Sequence, residues 1–121
     1  MKKAVAYLRT AVTKIGEKKD SMAEQEKIIR DFADKNKTEI LQFFTDVCSG
    51  LKNFNGKPWL DLEEYILKND VDFILVSRLD RLGRNIDIVH KKIMSIENKG
   101  KTLIHPVVYN SDLKLETYLK Q

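Results

Sequence analysis

Apolar positions along this chain recur with two alternating periods. Ala4-Val5-Ala6-Tyr7-Leu8 is a compact apolar run that stops at Arg9, which predicts a short strand. Ser21-Met22-Ala23-Glu24 has the spacing of a capping box, and Met22, Gln25, Ile29, Phe32 and Ala33 then return at helical intervals up to about Asn36. Ile40-Leu41-Gln42-Phe43-Phe44 predicts a second strand ending at Thr45-Asp46. Gly50 to Pro58, with two Gly, two Asn and a Pro, is loop material. From Trp59 a second helical face follows, made of Trp59, Leu62, Tyr65 and Ile66. Val71 to Val76 is nearly all apolar, as a strand buried on both faces of a parallel sheet should be. Asn85 can cap a third helix with the stripe Ile86, Val89, Ile93 and Ile96, and Gly100 stands where a terminating glycine would. Thr102 to Pro106 predicts a fourth strand, with Pro106 placing its end or an edge there. Ser111 to Leu119 offers Leu115, Tyr118 and Leu119 for a short last helix.

The order β-α-β-α-β-α-β implies right-handed crossovers. The expected fold is therefore α/β, a mostly parallel four-stranded sheet flanked by helices on both faces, formed by residues 1–121 as one domain. A hydrophobic fraction of 42% against 33% charged residues suits a globule with a charge-rich surface. No apolar run approaches the ~20 residues that a membrane span needs, so no membrane partner is expected. One cysteine, Cys48, cannot close an internal disulfide, which fits a reducing cytoplasm. The net charge of +4 is only a mild bias toward anionic partners.

The arginines change that picture. Of five, Arg78, Arg81 and Arg84 fall within seven residues, directly after the third strand, and Arg9 ends the first. Open α/β sheets bind ligands outside the carboxyl ends of their strands, so four of the five arginines collect on one rim. Guanidinium is a planar fork that grips phosphate oxygens in pairs and stays charged at any relevant pH. With no glycine-rich phosphate loop in the sequence, the cluster points to a phosphodiester or nucleic-acid phosphate. The competing reading is a solvated basic loop with Asp80 neutralising one neighbour. His90 and His105 lack any Cys, His or carboxylate spacing for a metal, and neither a metal nor another cofactor is expected. Trp59 reads as core, and Lys18-Lys19 and Lys91-Lys92 as solvated faces.

These residues carry a resemblance. Tyr7-Leu8-Arg9, Ser21-Met22-Ala23-Glu24-Gln25, Thr45-Asp46, Ser49-Gly50 and above all Leu79-Asp80-Arg81-Leu82-Gly83-Arg84-Asn85 resemble, in collinear order over about residues 3–106, the serine recombinases of the resolvase/invertase family. The resemblance implies site-specific DNA recombination. In that family a serine hydroxyl attacks a phosphodiester, a 5′-phosphoserine link forms, subunits rotate and the strands rejoin, with no metal. It also implies that Arg9, Arg81 and Arg84 hold the scissile phosphate, with Arg78 and Lys57 as further phosphate contacts. Gln25, Asp46, Ser49 and Asp80 would be supporting members of the site.

Three departures qualify it. The family's nucleophile position, two residues beyond the first-strand arginine, is Ala11, and a methyl group cannot attack phosphorus. Thr10 would point to the opposite face of the strand, and Thr13, Cys48 and Ser49 lie elsewhere. The loop before the second helix, Asn55-Gly56-Lys57-Pro58-Trp59, lacks the family's further arginine, and Lys57 supplies charge without the fork. Finally, Val107 to Gln121 cannot hold the long oligomerisation helix and the DNA-binding region that follow in the family. The expectation is a recombinase-type domain that binds DNA backbone and does not cleave it. The alternative is a non-catalytic interaction module acting on a full-length recombinase or on DNA.

Overall fold

The computed structural model describes residues 1–10, 22–47, 56–82, 85–100 and 102–107. They form β1 (Lys2–Thr10), α1 (Met22–Lys35), β2 (Thr38–Val47), α2 (Lys57–Lys68), β3 (Phe73–Val76), α3 (Ile86–Lys99) and β4 (Leu103–Pro106), with a 3-10 turn at Leu79–Arg81. All pairings are parallel and the strand order is β2-β1-β3-β4. The central strands, β1 and β3, are the most apolar, because they are covered on both faces.

Alternation along β1 sorts the core into two layers. Val5 and Tyr7 face α2 and α3, joining Trp59, Leu62, Ile74, Val76, Val89, Ile93 and Ile96. Ala4, Ala6 and Leu8 face α1, joining Ile29 and Leu75. Small alanines at two of those three positions let α1 pack close to the sheet. β2 is not regular: its register against β1 shifts between Ala4 and Val5, where the partner moves from Ile40 to Gln42. The extra residue turns the strand over. Ile40 faces α1, yet Phe44 belongs to the α2–α3 layer, and Asp46, two residues on, lies on that layer's side.

Both β1 and β2 begin two residues before their apolar runs and extend one residue past the predicted ends, to Thr10 and Val47, whereas β3 starts two residues later than Val71. Asn85 caps α3 as expected, its Oδ1 accepting from the amides of Asp87 (3.0 Å) and Ile88 (3.2 Å). Ile86 does not join the buried stripe. It is the first residue of the helix and is 55% exposed. Gly100 ends α3 with extended backbone that any residue adopts, so no glycine-specific termination operates there. Lys92 is not a solvated lysine: half-buried, it pairs with Glu63 at 3.0 Å and ties α3 to α2, and Glu63 also accepts from Trp59 Nε1 at 3.0 Å. Pro106 ends β4, which is an edge strand. Ser21, Cys48 and the segment Ser111 to Leu119 lie outside the described residues. Among the described residues no helix is long and apolar enough to cross a membrane.

His105, in β4, stacks on Phe32 with ring centroids 4.9 Å apart and meets Phe73 edge-on at 6.0 Å. Burial lowers its pKa below the ordinary imidazole value. The folded chain therefore binds fewer protons than the unfolded chain as pH falls through the ordinary histidine range. By linkage, His105's contribution to stability is full above that range and is lost as pH drops below it. The difference in melting temperature between wild type and His105→Phe should change in the variant's favour from pH 7 to pH 5. A pH-independent difference would show that His105 stays equally protonated in both states.

Candidate functional site

The carboxyl rim is assembled from three strand ends. Arg9, next to last in β1, is buried at 6% exposure and its Cα partner across the sheet is Asp46, buried at 5%. Alternation puts both on the α2–α3 side, and the β2 irregularity is what brings Asp46 there. Beneath them, Tyr7 donates its hydroxyl to Asp46 Oδ2 at 2.9 Å and packs edge-on against Trp59 at 4.9 Å. The carboxylate is closed from the side by Gly56, which precedes α2. A Cβ on Gly56 would stand 2.8 Å from Asp46 Oδ2, so any larger residue here would displace the carboxylate that Tyr7 holds.

Gln25 performs a different task. Fully buried in α1, it accepts from the Arg9 amide through Oε1 at 3.1 Å and donates through Nε2 to the Arg9 carbonyl at 2.9 Å. The side-chain amide thus stands in for a neighbouring strand and fixes the backbone at the point where β1 leads toward residue 11. The same carbonyl accepts a long contact from Arg81 Nη1 at 3.5 Å. Arg81 reaches it from the 3-10 turn, whose first residue follows Arg78 in extended backbone. Leu79 and Leu82 are buried on either side of Arg81 and pin that turn to the core, leaving Arg78 and Arg81 half-buried at the rim. Ser77, at the end of β3, is 1% exposed, and its Oγ has no hydrogen-bond partner among the described residues.

Of the site residues expected from the sequence, Arg9, Gln25, Asp46, Arg78 and Arg81 are brought to one rim. Asp80 lies in the turn between them. Lys57 is directed elsewhere: it opens α2 and pairs with Asp61 at 2.9 Å, in an exposed contact one helical turn along. The hydrogen bond and charge of Asp61 raise its pKa. Ala11, Ser49 and Arg84, and with them Thr13 and Cys48, lie outside the described residues. Tyr7, Gly56 and Ser77 are additions from the structure. Tyr7 had a signal, standing two residues before Arg9 and hence on its face. The other two had none, since a loop glycine and a strand-end serine look alike in many sequences.

The comparisons agree with this architecture. The family described as resolvase, N-terminal domain, matches residues 4–113, and the chain belongs to that family. It is thus a serine-recombinase catalytic-type domain of site-specific recombination. The N-terminal catalytic domain of TP901-1 integrase superposes with a TM-score of 0.77 at 22% identity, over 97% of this chain and 91% of that one. The C-terminal catalytic domain of ISC1926 TnpA, an IS607-like serine recombinase, gives 0.70 at 23% identity over 98% and 78%. A resolvase family site-specific recombinase from Streptococcus pneumoniae gives 0.70 at 22% identity over 99% and 88%. These likenesses establish the fold. No curated protein matched the chain.

Proposed function

We propose that this domain grips the phosphodiester backbone of DNA with its carboxyl rim and does not cut it. The observation that carries the reading is the convergence of Arg81, from the turn after β3, on the backbone of Arg9 at the end of β1. Arg9, Arg81 and Arg84 are the phosphate-holding residues, with Arg78 beside them. Gln25 and Asp46 position the end of β1, and Asp80 and Ser49 complete the surround. Lys57 contributes charge only if it leaves Asp61. The Ser77 hydroxyl adds a donor at the same strand ends. No cofactor is needed for such a grip, because guanidinium forks alone supply the charge and the paired hydrogen bonds that hold a phosphate. Ala11 removes the attacking oxygen, and this favours the second reading as well: a non-cleaving partner of itself or of a full-length recombinase. A single cysteine fits a reducing cytoplasm as the compartment.

Fluorescence anisotropy with a labelled duplex at two salt concentrations tests the phosphate grip. The expected result is a Kd of order 10⁻⁴–10⁻⁶ M, without sequence preference and steeply weakened by salt. Arg81→Gln should lower the slope of log K against log salt by about one. Salt-insensitive binding, or an Arg81→Gln variant with an unchanged slope, defeats the reading.

A further inference from the structure

A cavity lies at the amino end of the sheet, opposite the arginine rim. It has a volume of about 260 Å³ and is lined by Lys2, Phe32, Asn36, Thr38, Phe73 and His105. Lys2, Thr38 and Phe73 open β1, β2 and β3, and Phe32 and Asn36 come from the end of α1. The cavity exists because α1 covers β1 and β2 but reaches β3 only in part. Phe32, Phe73 and His105 are therefore only half-buried, and Leu103 on β4 is 47% exposed.

The lining is selective in its chemistry. Three rings meet there, with His105 30° from coplanar with Phe32 and 65° from Phe73, so ring surface of differing orientation borders one space. Offset and edge-on contacts of this kind are those that aromatic groups prefer. Two of the polar neighbours are satisfied internally: Asn36 Nδ2 donates to the Phe32 carbonyl at 2.8 Å, and Thr38 Oγ1 donates to the Asn36 carbonyl at 3.3 Å. Lys2 is the formal charge among the six lining residues, and a neutral imidazole at His105 offers one donor and one acceptor. In sequence the mouth is flanked by Lys3, Lys35 and Lys37 against Glu39 and Asp72, and Asp72 is engaged by the Lys3 amide at 2.9 Å.

We propose that this cavity binds a small planar aromatic anion, its ring against Phe32, Phe73 and His105 and its carboxylate on the Lys2 ammonium. A mostly apolar lining with one cationic side chain at its edge is a composition that small-molecule sites share. The site is separate from the arginine rim and does not depend on how that rim is used.

The test is a titration of the whole chain with 2-naphthoate, followed by NMR of backbone amides and aromatic side chains. Saturable shifts should appear at Lys2, Phe32, Phe73 and His105 and be absent at Arg9 and Arg81. Lys2→Met changes an exposed residue and leaves the fold intact. It should weaken 2-naphthoate roughly tenfold, the worth of one charge-assisted contact. The neutral 2-naphthylmethanol should bind both forms within about twofold of each other. Absence of saturable shifts, shifts confined to the arginine rim, or Lys2→Met leaving 2-naphthoate affinity unchanged would each overturn the proposal.

Discussion

Incubated with supercoiled DNA carrying recombination sites, the protein is expected to form no covalent adduct on a denaturing gel. The reason is atomic. Strand cleavage by this family's chemistry begins with a hydroxyl attacking phosphorus, and residue 11, two beyond Arg9, has only a methyl group. Removing a nucleophile outright typically costs on the order of 10⁶ in rate. Thr10 gives no ready substitute, because alternation along β1 sends it to the α1 side while Arg9 lies on the other. Ala11→Ser should restore at most a trace of adduct. The position that opens α2 carries Lys57, already paired with Asp61, where the resemblance calls for a further guanidinium fork to hold the transferring group. Ala11→Ser together with Lys57→Arg and Asp61→Ala, which frees that position, should outperform Ala11→Ser alone. A strong adduct from the unaltered chain would sink the idea and redirect attention to Thr10, Thr13 or Ser49.

Periodicity carried most of the fold because each element buries one face. Gln25, Ile29 and Ala33 on α1, Trp59 and Leu62 on α2, and Val89, Ile93 and Ile96 on α3 are the buried positions that the helical spacing marks. Ile86 shows the limit of such reading: the stripe identifies a face, but not at which residue of the helix its burial begins. The β2 irregularity shows another. Ile40-Leu41-Gln42-Phe43-Phe44 alternates poorly, and nothing in it reveals that one extra residue will turn Asp46 toward Tyr7. The rim arginines were legible because the topological rule for ligand sites needs only strand order. The packing that orients them was not. Gly56 against Asp46 and Gln25 against Arg9 are contacts between elements 10 and 16 residues apart or more, and their distances come only from the fold.

Gln25 connects the two levels, since a buried glutamine is costly unless both ends of its amide are satisfied. Here both are satisfied by one residue, Arg9, through its amide and its carbonyl. Gln25→Ala should therefore leave a buried N–H unpaired and open a cavity in the α1 layer, at a cost of roughly 2–4 kcal/mol. In a chain of this size that should appear as a loss of about 10 °C in Tm. Gln25→Glu distinguishes the two-point clamp from simple filling of space. An ionised glutamate can accept from the Arg9 amide but faces the Arg9 carbonyl with like polarity, and its burial raises its pKa above the ordinary ~4.3. When protonated, its O–H can donate to that carbonyl and rebuild the pair. The folded variant then binds more protons than the unfolded one, so its stability relative to wild type should rise as pH falls from 7 toward 4. Thermal unfolding of the two variants across that range reads both effects. If Gln25→Glu tracks wild type at every pH, the amide is only filling space, and the Arg9 backbone must be held by other means.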